Sequence, residues 1–159
     1  MKNRTALFPG SFDPFTIGHE SIVRRALPLF DHIIIAVGYN TNKKGFFPLD
    51  DRIGWIKKVF EGEEKIEVTS YEGLTINFCI QKGANYILRG IRTSSDFEYE
   101  RAIAQMNRAM QPDVESIFLL TLPEHTHVAS AIVRDIILNG GDASMFLPDK
   151  IKIPRKSYK

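Results

Sequence analysis

Cysteine is nearly absent. Cys79 is the single one in 159 residues, so no internal disulfide can brace the chain, and a chain of this length can bury a sizeable apolar core without one. Long apolar runs are missing too. The longest, around Ile33 to Val37 and Ile117 to Leu122, have strand length and fall well short of the roughly 18 residues of a membrane span, so no membrane role is expected. The opening MKNRTALF is too short and too polar for a signal-peptide core, which together with the lone thiol points to the cytoplasm. Net charge is small at +2, and Lys150, Lys152, Arg155, Lys156 and Lys159 crowd the end, leaving the body mildly acidic. A polyanion binder would need a basic face on the fold itself, so residues 149–159 read as a solvated basic tail and no nucleic-acid partner is expected. With no linker, repeat or low-complexity stretch in view, residues 1–148 are expected to form one domain.

What the chain does have is alternation. Short apolar, β-branched runs at Thr5 to Phe8, Ile33 to Gly38, Ile66 to Thr69, Tyr86 to Arg89 and Ser116 to Thr121 are separated by segments of helical period. Their cores are continuously apolar, which suits strands covered on both faces. The expected fold is therefore α/β: a Rossmann-like, doubly wound parallel sheet of five strands with helices on both faces. A first helix should follow Thr16, burying Ile22, Val23, Ala26, Leu27 and Phe30, and a second should start near Asp50. A third is expected over Thr75 to Gln81, carrying Cys79 as a packed thiol. Ser95-Asp96-Phe97-Glu98 has capping-box spacing ahead of a fourth helix through Met110, and a fifth should run from Ser130 to Leu138.

In such a fold ligands bind beyond the carboxyl ends of the strands. After the first strand stands Phe8-Pro9-Gly10-Ser11-Phe12-Asp13-Pro14-Phe15-Thr16-Ile17-Gly18-His19. It places glycine and a hydroxyl at a strand end and then opens a helix whose free N–H groups and positive dipole end can hold a phosphate. His19, on the first turn, can donate to oxygens whose charge grows during phosphoryl transfer. His125 and His127 are separated by a single residue, but no cysteine or third histidine nearby completes a zinc set, so no protein metal site is expected there.

Thr16-Ile17-Gly18-His19, preceded by Pro9-Gly10-Ser11-Phe12-Asp13-Pro14, resembles the HxGH signature of the nucleotidyltransferase superfamily in the TxGH form of the phosphopantetheine adenylyltransferases. The likeness continues at Asn42-Lys43-Lys44, Arg89-Gly90-Ile91-Arg92 and Asp96-Phe97-Glu98-Tyr99-Glu100. Val128-Ala129-Ser130-Ala131-Ile132-Val133-Arg134 stands where the second signature would lie. Ala129 and Ala131 replace hydroxyl residues in it, so triphosphate contacts there would rest more on backbone amides.

The resemblance implies transfer of an adenylyl group from ATP to 4′-phosphopantetheine by direct attack, giving dephospho-coenzyme A and pyrophosphate. It implies that His19 stabilises the pentacovalent α-phosphate, that Ser11 and Lys43 orient the incoming phosphate, and that Arg92 holds the ATP phosphates. Arg89 would contact the pantetheine phosphate, with Leu74 and Thr75 along the pantetheine arm. Phe12, Gly90, Ile91, Glu100 and the run His125, Thr126, His127, Val128, Ala129, Ser130, Ala131 would line the nucleotide. Magnesium, held by substrate phosphates and water, and a homohexamer are implied in the same way. Two other readings compete: a nucleotidyltransferase acting on nicotinate mononucleotide, and a silent module sensing ATP or coenzyme A, which the eroded second signature would suit.

Overall fold

The computed structural model describes residues 3–154. Five parallel strands, β1 (Thr5–Gly10), β2 (His32–Gly38), β3 (Ile66–Tyr71), β4 (Tyr86–Ile91) and β5 (Glu115–Leu120), form one sheet in the order β3-β2-β1-β4-β5. Helices α1 (Ile17–Ala26), α2 (Leu49–Val59), α3 (Thr75–Gln81), α4 (Ser94–Met110) and α5 (Ser130–Leu138) make the connections or follow the last strand. This is the doubly wound α/β architecture that the alternation predicts.

The strand alternation explains why both faces are apolar. Ala6, Phe8, Ile33, Ile35 and Val37 point into a core closed by Ile22 and Val23 of α1, Ile56 and Val59 of α2, and Val133 of α5. Leu7, Ile34 and Ala36 point the other way, onto Ile76 and Cys79 of α3. Cys79 is fully buried, and burial pushes its thiol up to about 11.

The winding reverses between β1 and β4, the place where such sheets bind ligands. β1 matches β2 over six positions, from Thr5 opposite His32 to Gly10 opposite Val37. Against β4 its register covers only Ala6 with Tyr86 and Leu7 with Ile87. Beyond that the two strand ends part, and the site is built in the gap.

Two boundaries differ from those expected. The cap of α4 is Thr93: its hydroxyl accepts from the Asp96 amide, and the Asp96 carboxylate accepts in return from the Thr93 amide. The Ser95-to-Glu98 spacing is already inside the helix. The chain also stays on the core past residue 148, because Ile151 is buried and Ile153 packs beside it. Only Asp149 to Pro154 of the expected tail falls within the described residues; Arg155 to Lys159 lie outside them. Of α4 itself, only Glu100 is buried, while Tyr99, Ile103, Met106 and Met110 are exposed.

Candidate active site

The turn after β1 is shaped by aromatic packing. Phe12 sits at φ 46°, a left-handed conformation that a bulky side chain rarely adopts, and its ring folds back over Gly10. A Cβ at Gly10 would lie 2.8 Å from that ring, so only glycine fits there. Phe12, Phe15 and the His19 imidazole then pack together, with ring centres 5.1 to 5.3 Å apart.

His19 is fixed by its own helix start. The Thr16 amide donates to Nδ1 at 3.0 Å, while the Thr16 hydroxyl accepts from the His19 amide and lies 3.2 Å from Nδ1. An Nδ1 that accepts puts the ring proton on Nε2. Burial, then the charges of Arg89 and Arg92, push the imidazole down to about 3, so it is neutral at physiological pH and offers one N–H donor.

Arg89 fills the gap between β1 and β4. Its Nη1 donates to the Pro9 carbonyl at 2.5 Å, and its Nε and Nη2 form a two-pronged pair with Glu100 at 2.9 and 2.6 Å. The resemblance assigns these two residues to different substrates; in the fold they hold each other. Arg92 is braced by Asp96 at 3.3 Å and by the Val128 carbonyl at 3.3 Å.

Two cavities meet here. One, of about 350 Å³, is lined by Phe12, His19, Gly90, Arg92, His125 and the start of α5 from Val128 to Ala131. The other, of about 680 Å³, is lined by Lys43, Lys44, Tyr71, Thr75, Ile103 and Asn107 among others. Ser11, Arg89 and Glu100 belong to both walls. The two cavities therefore adjoin along a wall that these residues share.

At the first cavity α5 starts without a side-chain cap, at Ala129. The polar side chains kept in the eroded second signature turn elsewhere: Ser130 Oγ donates to the Pro14 carbonyl at 2.9 Å and Arg134 Nη1 to the Asp13 carbonyl at 2.8 Å. They brace the first signature from the side and leave the amides of the α5 start open.

Four of the expected residues are not on these walls. Ile91 is buried, and Leu74 is exposed beside the mouth. Thr126 donates its hydroxyl to the Leu122 carbonyl, and His127 turns its ring to Phe146. Conversely, sequence reasoning missed Tyr99, Ile103 and Asn107, which line the larger cavity from α4. Their i, i+4, i+8 spacing on one helix face was a usable signal. It also missed Arg52, whose guanidinium reaches the Ser11 carbonyl at 2.7 Å from α2 and carries no local mark in the sequence. Among the described residues no three His, Cys, Asp or Glu side chains come together to hold a metal ion.

The cytidylyltransferase-like family pattern matches residues 7–136. The chain is 51% identical over 150 residues to a phosphopantetheine adenylyltransferase of Flavobacterium psychrophilum, covering 94% of this chain and 99% of that one. A phosphopantetheine adenylyltransferase of Leptospira biflexa is 45% identical over 146 residues, covering 92% and 91%. Among solved structures, a bifunctional NMN adenylyltransferase/ADP ribose pyrophosphatase of Francisella tularensis superposes with a TM-score of 0.71 at 16% identity, with 94% of this chain on 46% of that one. That likeness speaks to the fold alone. Identity near half over almost the full length of the curated relatives is decisive: the chain belongs to the cytidylyltransferase-like family and, within it, to the phosphopantetheine adenylyltransferases, which are nucleotidyltransferases.

Proposed function

We propose that the chain transfers the adenylyl group of ATP to 4′-phosphopantetheine, a step of coenzyme A synthesis carried out in the cytoplasm. The observation that carries this reading is the junction: a smaller cavity lined by His19 and a larger one lined by Lys43 share Ser11, Arg89 and Glu100. An acceptor phosphate oxygen attacks the α-phosphorus, the bond to the β-phosphate oxygen breaks, and pyrophosphate leaves with the electron pair. No side-chain nucleophile is needed, so catalysis rests on alignment and on placing donors where charge grows.

In this reading Nε2–H of His19 donates to the α-phosphate oxygens. Arg92 and the open amides of α5 hold the β- and γ-phosphates. Lys43, Ser11 and Arg89 hold the acceptor phosphate, and Glu100 orients Arg89 while facing the nucleotide. Thr75 borders the pantetheine arm, joined to the Tyr71 hydroxyl at 2.8 Å. Magnesium would enter with ATP, screening its phosphates and held by them and by water, since the described residues form no cluster to cage it. The apolar residues of α4 that stand outside the cavity, Met106 at 65% and Met110 at 51% exposed, support a homohexamer in which that part of the helix is covered by other copies.

The test is pyrophosphate release by the purified protein with ATP and magnesium, adding 4′-phosphopantetheine, nicotinate mononucleotide or no acceptor. Release only with phosphopantetheine, with dephospho-coenzyme A as product, is expected. Release with nicotinate mononucleotide alone, or nucleotide binding without any turnover, would replace the reading with one of its rivals.

A further inference from the structure

Lys43 has an unusual position for a residue that must meet a phosphate. It lies on the β2–α2 loop, between Gly38 and Leu49, and its ammonium makes no hydrogen bond or ion pair among the described residues. Nothing at the tip of the side chain places it. Its location is set by the loop backbone, and that backbone is tied down at both ends by side chains from elsewhere in the chain.

The inner tie comes from the signature turn and from α2. Asp13, 8% exposed, accepts from the Phe46 amide at 2.8 Å with one oxygen and from the Phe47 amide at 2.9 Å with the other. Arg52, 5% exposed, donates Nε to the Phe47 carbonyl at 3.1 Å and Nη1 to the Ser11 carbonyl at 2.7 Å. One guanidinium thus spans the loop that carries Lys43 and the turn that carries Ser11. Gly45 lets the three segments close: a Cβ there would lie 3.1 Å from Arg52 Nη2, 3.2 Å from the Phe47 carbonyl and 3.3 Å from Asp13 Oδ2.

The outer tie joins the loop to the segment after β3, beside the wall of the larger cavity. Glu72, in the β3–α3 loop, accepts from the Thr41 amide at 2.9 Å and from the Thr41 hydroxyl at 2.8 Å through a single oxygen. These bonds hold the carboxyl below the usual carboxylate range. Between the ties the loop closes on itself, with the Lys43 amide donating to the Asn40 carbonyl and the Asn42 amide to the Asn40 side chain.

We propose that Asp13 with Arg52, and Glu72 with Thr41, are positioning residues for Lys43 and Ser11, and that through them the acceptor phosphate is bound by a preset pair instead of a loop that must order on binding. This rests on the function proposed above. Ordering a loop at the moment of binding costs affinity, so a preset loop lowers the acceptor KM; the Glu72–Thr41 tie does so on the acceptor side alone, whereas Arg52 also holds Ser11, which borders both cavities. Thr41 and Glu72 act from outside the cavity, and Asp13 and Arg52, which border it, act through the backbone groups they hold.

The test uses the full-length protein and reads kcat, both KM values, the 4′-phosphopantetheine Kd by calorimetry and the melting temperature. Asp13→Asn leaves two buried N–H groups facing an amide with one acceptor atom and is expected to cost folding, so the decisive variants are Glu72→Ala, Glu72→Gln, Thr41→Val and Arg52→Lys. Glu72 is exposed, and its loss should leave the melting temperature nearly unchanged. Glu72→Ala is expected to raise the acceptor KM roughly 3- to 10-fold with the ATP KM constant, Glu72→Gln to recover most of that, and Arg52→Lys to raise it by roughly 10-fold or more. Parallel rises in both KM values in the Glu72 and Thr41 variants would reduce the ties to general scaffolding, and an acceptor KM within about twofold of wild type would overturn the proposal. If wild type neither binds nor uses 4′-phosphopantetheine, the functional reading fails first and this inference falls with it.

Discussion

The two cavities differ in what they are made of. The smaller is built from strand ends and helix starts: His19 is locked to Thr16 one turn into α1, Arg89 and Gly90 are residues of β4, and α5 opens directly onto it. The larger depends on a loop with its cation at the tip and on an α4 whose far side is exposed. One half of the site is as rigid as the sheet, and the other is as rigid as its ties. Chemistry that needs placement within a fraction of an ångström belongs in the first half, and a long flexible acceptor can be met by the second.

The comparison is broken most severely at His19. His19→Ala should lower kcat by roughly 100-fold or more while ATP affinity, measured by calorimetry, changes little, because the donor acts on charge that develops in the transition state. Lys43→Ala should act on the other half, raising the acceptor KM roughly 10- to 100-fold with nucleotide binding preserved. If both variants weakened both substrates alike, the two cavities would not be separable.

Proton linkage gives a third, smaller effect. His19 in the fold is pushed down to about 3 from an ordinary value of 6.5, so between those values the unfolded chain takes up a proton that the folded chain refuses. Its contribution is therefore full above pH 6.5 and is lost as pH falls toward 3, at a slope approaching about 1.4 kcal/mol per pH unit. Urea midpoints at pH 7, 6 and 5 should show the decline, and His19→Gln should flatten it. The smallest expected change is Thr16→Ala. It removes the cap of α1 and should cost about 1 kcal/mol of stability, with a lower kcat because the imidazole loses part of its seat.

Local chemistry made much of this legible in advance. Thr75 to Gln81 and Ser130 to Leu138 are helices between the residues that the periodicity marks, and the turn after β1 lies at the sheet's switch point as its glycine and hydroxyl residues imply. What escaped depends on partners distant in sequence. Arg89 meets Glu100 only because a strand and a helix start are folded beside each other. Arg52 reads as one more polar residue on an amphipathic helix until the Ser11 carbonyl arrives from 41 positions away. Ile151 sits in a basic stretch, and charge counting hides a residue that the core takes up. Leu74 and His127 fall in the right segments but turn away from the walls, a matter of side-chain direction that spacing does not encode.

The lone thiol has a practical consequence. Cys79 is fully enclosed, donates its S–H to the Ala84 carbonyl, and sits on the buried face of α3, the helix that follows the loop carrying Glu72. An alkylating reagent can reach it only when that layer opens, and each opening is recorded once, irreversibly, as a fixed mass increment. With no second cysteine to confuse the signal, labelling kinetics of the untouched protein become a clock for that corner of the molecule, run with and without each substrate.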